Sequence, residues 1–271
     1  MDRNATIDLA DAALANITVA TPAQASAHPQ SLLDLPPGEA RQSLLTLHSI
    51  LEAKLPPTRL AIYEAGGGST SFLPLDVLRR AHVTVVDVDA EQIRNNDYAQ
   101  EKIVGDVQTW RFKPESFDLV ICYNVIEHLP DVEAALAGFC SSLKQGGLIV
   151  IGAPNPKSMS GVVTKYSPYW FHVWFYRYVR GDKRAGQPGH APFPTFFHPL
   201  VTPSNLEGFA KVHGLQTIYR KQYESPRLPE MRARMPMFAA LLDAFAAAMK
   251  ILLPGKADVR HGDYHMIFRK R

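Results

Sequence analysis

The sequence predicts an α/β protein built on a doubly wound, parallel sheet, and three observations carry that prediction. Short apolar runs alternate with helical stretches from Leu60 to Asn155, the order that lays parallel strands side by side with helices on both faces. Three glycines, Gly66 to Gly68, follow the first of those runs. Acids stand at the ends of successive runs, at Glu64, Asp87 and Asp106, and ligands of such sheets bind at the carboxyl ends of the strands.

Taken in order, a helix should run from about Pro37 to Lys54, opened by Pro36-Pro37 and stopped by Pro56-Pro57. Its Leu44, Leu45, Leu47 and Leu51 recur at helical spacing and can cover a core face. LAIYEA is the first strand, with a helix through SFLPLDVLRR behind it and Pro74 near its opening. HVTVVDVD is the second strand, AEQIRNNDYAQ a helix, EKIVGDV the third strand and FDLVICYNV the fourth. DVEAALAGFCSSLKQ is helical with Gly146-Gly147 as its stop, and LIVIGAPN is the fifth strand. From 155 to 200 the alternation breaks. YSPYWFHVWFYRY (166–178) holds eight aromatics in thirteen residues, followed by the Gly/Pro/His-rich GQPGHAPFPTFFHP. TPSNLEGFAKVHG then reads as a capped helix, LQTIYRKQY as a strand, MFAALLDAFAAAMKILL (237–253) as a helix after Pro236, and YHMIFRK as the last strand.

Composition narrows the classes. An apolar content of 46% with 20% charged residues is that of a soluble globular enzyme. Two cysteines, Cys122 and Cys140, make no disulfide framework, so a reducing cytoplasm is expected. The acid-bearing N-terminus is not a secretory signal, and no apolar run is long enough to span a bilayer. From Arg220 onward there are 11 Lys/Arg against 5 Asp/Glu. This basic portion reads as a solubilising face, since it lacks the dense basic-aromatic pattern of a nucleic-acid groove.

The strand ends carry the chemistry. Glycines after the first strand let backbone amides approach a ligand closely. A dinucleotide loop wants G-x-G-x-x-G where Gly66-x-Gly68-x-x-Ser71 stands, and a phosphate loop would need Gly-Lys-Ser/Thr, which is absent. Glu64, directly ahead of the glycines, would repel a pyrophosphate and attract an amine or ammonium. Asp87 can accept hydrogen bonds from both hydroxyls of a ribose, or it is a helix cap or a residue of a solvated turn. Asp106 can take the exocyclic amine of adenine, or it is a turn aspartate. Together the three acids beside a glycine loop describe a pocket for a cationic adenosine bearing an amino group.

YEAGGGST, VTVVDVDAEQI, IVGDV, FDLVICYNVIEHLPD and LKQGGLIVIGAPN stand in order and spacing through residues 58–155. In this the segment resembles the class I S-adenosylmethionine-dependent methyltransferases of the small-molecule type. Their first loop is usually acidic-x-Gly-x-Gly-x-Gly, and this chain departs from it with Thr70 as the third position. The resemblance implies a Rossmann-like seven-stranded sheet with an antiparallel last strand, which YHMIFRK suits. It implies S-adenosyl-L-methionine as cofactor, with the methionine part at Glu64, Ala65, Gly66 and Gly68. It also implies the ribose on Asp87, adenine against Val88 with Asp106 and Val107 on its edge, and Asn124 beside the methionine moiety. The chain then divides into a tail, 1–35, and a methyltransferase domain, 36–271. Within the domain, 36–155 is the cofactor half, 156–200 an aromatic-rich cap insertion serving as acceptor lid, and 201–271 completes the sheet.

Methyl transfer from a sulfonium is an in-line displacement in which placement does much of the work. A base is needed only when the acceptor must lose a proton. His128 in Ile126-Glu127-His128-Leu129 is placed for that, or it packs on the cofactor or caps the next helix. Tyr166, His172, His190 and His198 in the insertion are further candidates, and no compact metal-ligand motif is present. The insertion's rings suit a lid over an apolar or sugar-like acceptor, or they pack the subdomain on the sheet. Arg177, Arg180, Lys183 and Arg184 beside the rings could receive an acidic acceptor. The 237–253 helix, flanked by Arg232, Arg234, Lys256 and Arg260, reads as a buried cap, a homodimer contact or a peripheral membrane contact. The function expected is methylation, on oxygen, of a small molecule or a glycan- or lipid-linked intermediate. A catalytically silent cofactor-binding regulator and a nicotinamide-dependent oxidoreductase are the alternatives.

Overall fold

The computed structural model describes residues 38–179, 181–187, 192–196, 198–225, 232, 235–252 and 261–271. The tail 1–35, and also Pro36, Pro37, Arg180, His190, Arg234, Lys256 and Arg260, lie outside the described residues. Helix α1 (Glu39–Lys54) buries Leu44, Leu47 and Leu51. Leu45 faces solvent instead of the core, because it lies off the stripe those three leucines define.

The alternating half follows as β1 (Leu60–Ala65), α2 (Leu75–Arg79), β2 (Ala81–Asp87), α3 (Ala90–Arg94), β3 (Glu101–Val104) and β4 (Phe117–Tyr123). After a 3₁₀ turn, Ile126–His128, come α4 (Val132–Ser142) and β5 (Leu143–Pro154). The insertion holds α5 (Met159–Tyr166), α6 (Tyr169–Trp174) and a π turn, Phe175–Val179. A second 3₁₀ turn, Pro199–Val201, leads to α7 (Pro203–Val212), β6 (Leu215–Tyr223), α8 (Pro236–Leu252) and β7 (Asp263–Lys270).

The strands form one seven-stranded sheet in the order β3-β2-β1-β4-β5-β7-β6. β1 to β5 are parallel, and β7 runs antiparallel to both β5 and β6. The chain leaves β1 toward β2 and β3, then crosses back to β4 on the other side. That reversal opens a crevice at the carboxyl ends of β1 and β4, where sheets of this kind bind ligands. Apolar cores lie on both faces, one around Val120, Phe139, Ile149 and Met266, the other around Leu47, Ile62, Leu119 and Ile267.

Three expected elements are shorter than the sequence suggests. The helix expected over AEQIRNNDYAQ stops at Arg94. There the Asn96 side chain accepts from the Tyr98 and Ala99 N–H groups and offers the backbone a turn instead. The helix expected through SFLPLDVLRR begins only after Pro74. The helix after β4 ends at Ser142 rather than at Gly146-Gly147. Its last residues are drawn into the sheet: the Ser141 and Ser142 carbonyls accept from Glu115 and Ser116, and the register shift between Phe117 and Leu119 absorbs residues 144–147 as a bulge.

A polar cluster ties α1 to the antiparallel edge. His265 of β7 is buried, with Ser43 Oγ 2.8 Å from Nδ1 and the Tyr123 and Tyr223 hydroxyls 2.9 and 2.8 Å from Nε2. Burial first, then the His48 charge, pushes its pKa down to about 3, so the ring is neutral. Among the described side chains of helix α8, Ala239 is buried and the others face solvent. Met237, Leu241 and Ile251 are 83%, 69% and 80% exposed. Among the described residues no helix is long and apolar enough to cross a membrane.

Candidate active site

The crevice is built from the glycine turn upward. Gly66 adopts φ +68° and Gly68 φ +53°, backbone that other residues rarely enter. A side chain at Gly66 would put its Cβ 2.4 Å from the Val125 Cγ2. Bare backbone is therefore required where the β1 and β4 loops meet. Thr70 does not adopt a positive φ. The loop is anchored by other means, with Asn96 Nδ2 donating to the Gly68 carbonyl at 2.8 Å and the Ser69 hydroxyl donating to Gln92 Oε1 at 2.8 Å.

Glu64 ends β1 on the α1 side of the sheet and is 3% exposed. The Ser71 hydroxyl and the Tyr98 phenol both donate to its carboxylate. Burial raises its pKa to about 7, against the opposing pull of those two donors. A cation delivered beside it would stabilise the ionised form. Asp87 at the end of β2 accepts from Gly68 N–H at 3.0 Å through Oδ2 and from Asp89 N–H at 2.9 Å through Oδ1. Burial raises its pKa too. The helix cap is Asp89, whose side chain accepts from Glu91 and Gln92. Asp87 is thus free of capping duty, while its Oδ1 serves the turn to Asp89.

Val88, next to Asp87, is 71% exposed and offers an open apolar face. Asp106 is gripped by Gln108, whose N–H and side-chain amide donate to its carboxylate at 2.9 to 3.0 Å. Val107 and Ala65 are buried in the core, so only their main chains can face a ligand. Asn124 takes φ +56° and donates its N–H to the Gly152 carbonyl at 2.7 Å, which turns the chain sharply out of β4. Glu64, Gly66, Gly68, Asp87 and Asn124 thus gather around the β1/β4 crevice. A bare-backbone turn, a buried carboxyl poised near neutrality and an open apolar residue beside a second acid fit a cationic adenosine.

The histidines do not converge. His128 closes the turn after β4, with Nδ1 2.7 Å from the Pro194 carbonyl and Nε2 3.7 Å from Glu127 Oε1. Burial lowers its pKa, partly offset by the Pro194 carbonyl. His172 pairs with the Ser167 hydroxyl at 2.6 Å within the insertion. His198 accepts from Leu200 N–H at 3.3 Å and caps the second 3₁₀ turn, which is a structural task. Tyr166 is 78% exposed. No described group of three or more His, Cys, Asp or Glu could hold a metal ion. Sequence reasoning missed Ser71, Gln92, Asn96, Tyr98 and Gln108, which hold the acids and the loop.

The seven-stranded sheet, its antiparallel last strand and its switch point are those of a Rossmann-like methyltransferase fold. Residues 63–151 match the family model described as a methyltransferase domain. Two similar proteins are named ubiquinone biosynthesis O-methyltransferase. That of Paraburkholderia phymatum is 29% identical over 117 residues, 43% of this chain and 44% of the relative. That of Neisseria meningitidis serogroup C is 29% identical over 105 residues, 36% and 40% of the two chains. The chain thus spans well under two thirds of the length of these relatives. Among solved structures, the MccD protein superposes with a TM-score of 0.51 at 14% identity, covering 83% of this chain and 96% of that one. The YcgJ protein of Bacillus subtilis gives 0.50 at 14%, covering 85% and 98%. These likenesses speak for the fold.

Proposed function

We propose that the chain transfers a methyl group from S-adenosylmethionine to a hydroxyl of an apolar small molecule or a glycan- or lipid-linked intermediate. The observation that carries the oxygen acceptor is His128. Its ring is neutral near pH 7 because burial lowers its pKa, and the Pro194 carbonyl 2.7 Å from Nδ1 can only accept, so the proton sits on Nδ1. Nε2 is left with its lone pair. The O-methyltransferase name of the relatives supports the same acceptor atom.

Bound S-adenosylmethionine supplies a methyl group on a positively charged sulfur. Glu64, with Gly66 and Gly68, receives the amino end, Asp87 the ribose hydroxyls, and Val88, Asp106 and the Val107 main chain the adenine. Asn124 lines the methionine side. His128 Nε2 would take the proton that the acceptor hydroxyl loses on methylation, and Glu127 Oε1, 3.7 Å from Nε2, would steady the imidazolium. The proton then passes to solvent. The aromatic insertion supports an apolar or ring-bearing acceptor. In α6 no residue is buried, so its rings are not spent on packing against the sheet.

Calorimetry with S-adenosylhomocysteine, together with transfer of a labelled methyl group to a catechol, a glycan and a lipid extract, tests this. An O-methyl product, with His128→Gln lowering kcat at least about tenfold at little change in S-adenosylhomocysteine affinity, is expected. A product methylated on nitrogen or carbon, or equal loss of turnover and affinity, would remove His128 as the base.

A further inference from the structure

We propose that the strap 192–196 is a latch that arms His128: by docking on the turn after β4 it fixes the imidazole proton on Nδ1, and so ties readiness of the base to the aromatic insertion. This rests on the base role given above.

Three contacts in five residues make the docking. The Pro194 carbonyl lies 2.7 Å from His128 Nδ1. Phe196 N–H donates to the Glu127 carbonyl at 3.0 Å. The Phe193 ring meets the imidazole edge-on at 5.9 Å between centroids. The sequence Pro192-Phe193-Pro194 suits the task. A residue before proline is held extended, and proline has no N–H of its own to compete. The strap therefore presents carbonyls at both prolines, and side chains take both. His128 takes the second, and the Tyr169 phenol donates to the first, that of Pro192, at 3.0 Å.

That second bond links the latch to α6. Tyr169 and Trp170 are 47% and 68% exposed, so an acceptor packed on these rings bears on the same strap that grips His128. Nothing charged on the described strap sets the tautomer. The titratable groups near the ring are Glu127 on its own turn and, around Glu127, Cys122 of β4 and Tyr264 of β7. Both of the latter are pushed up by burial, with the Glu127 charge adding to it. A solvated neutral imidazole exchanges between its two tautomers. Without the strap, Nε2 would carry the proton for part of the time and could not accept another.

The test is nitrogen-15 NMR of the histidines in the full chain, with His128→Gln assigning the signal. The wild type should show the Nδ1–H tautomer and a pKa below the ordinary imidazole value. Phe196→Pro, which removes the donated N–H, and Tyr169→Phe, which frees Pro192, should each give mixed tautomers and a pKa rising toward about 6.5. With a catechol as acceptor, the acid limb of kcat should move up by the same amount while KM for S-adenosylmethionine changes less than about twofold. A wild type protonated on Nε2 overturns the latch. So do two folded variants whose His128 keeps the wild-type tautomer and pKa. The expected NMR response without any O-methyl product would support the latch and sink the base instead, so the two failures read differently.

Discussion

Glu64→Gln is the sharpest perturbation of the cofactor crevice, because the carboxyl is buried and its charge can be removed almost without changing shape. In the folded protein the pKa is about 7 against 4.5 for an ordinary glutamate. A folded value raised above the unfolded one contributes stability that is fully present below the unfolded pKa and is lost as pH rises through the folded one. At about 1.36 kcal/mol per pKa unit, the loss between pH 4.5 and 8 is about 3 kcal/mol. Glutamine avoids it. The amide oxygen still accepts from one of the two donors, Ser71 and Tyr98, and the Ser71 hydroxyl can turn to accept from the amide nitrogen, at a pH-independent cost of about 1 kcal/mol. The melting temperature of the variant relative to wild type, both without ligand, should therefore climb with pH. At roughly 2–4 °C per kcal/mol the swing is about 6–12 °C between pH 4.5 and 8. Affinity for S-adenosylhomocysteine should move oppositely, falling about tenfold or more in the variant as the charge facing the amino group goes. Thermal unfolding across that pH range reads the first effect. A constant offset at every pH would show that Glu64 ionises as easily in the fold as out of it, and the reasoning about its burial would fail.

Two further outcomes follow from the same crevice. Asp87→Ala removes both a candidate ribose ligand and the acceptor for Gly68 N–H, and should weaken S-adenosylhomocysteine by roughly 1.5–3 kcal/mol in calorimetry. Unchanged affinity would take Asp87 out of the site. Gly66→Ala should destabilise by about 2–4 kcal/mol in urea unfolding, from the left-handed backbone and from the clash with Val125. Adding Val125→Ala should recover only the clash. Full recovery would mean the positive φ costs nothing, and no recovery would mean the loops do not touch.

The strand ends were legible because their signals are local. Apolar runs of fixed period place β1 and β2, and Glu64 and Asp87 fall where each run stops. The residues that set the chemistry of those acids were not legible. Tyr98 reaches Glu64 across 34 positions from the loop after α3, and no local pattern marks a tyrosine there as a donor. The same loop explains the short α3, since Asn96 trades helix for a turn and in doing so anchors Gly68. Residues 144–147 were misplaced for a related reason. Glycines signal a helix stop on their own, and only pairing of Ser141 and Ser142 with residues 115 and 116 shows that the helix has already ended. The histidines show the limit from the other side. His198 and His128 look alike in sequence, and one caps a turn while the other has its proton set by a carbonyl 66 positions away.

These long-range ties make the crevice a coupled unit. Gly66 can close on Val125 only because it lacks a side chain, and Val125 is placed there by the left-handed turn at Asn124. His128 follows three residues later on the same turn. The glycine loop therefore abuts, at Val125, the turn that carries His128. The strap contacts the same turn at Glu127 and His128. Glycine loop and insertion thus meet on one short segment, 124–128, the loop at Val125 and the strap at Glu127 and His128, so a substitution in either is expected to be felt at the other.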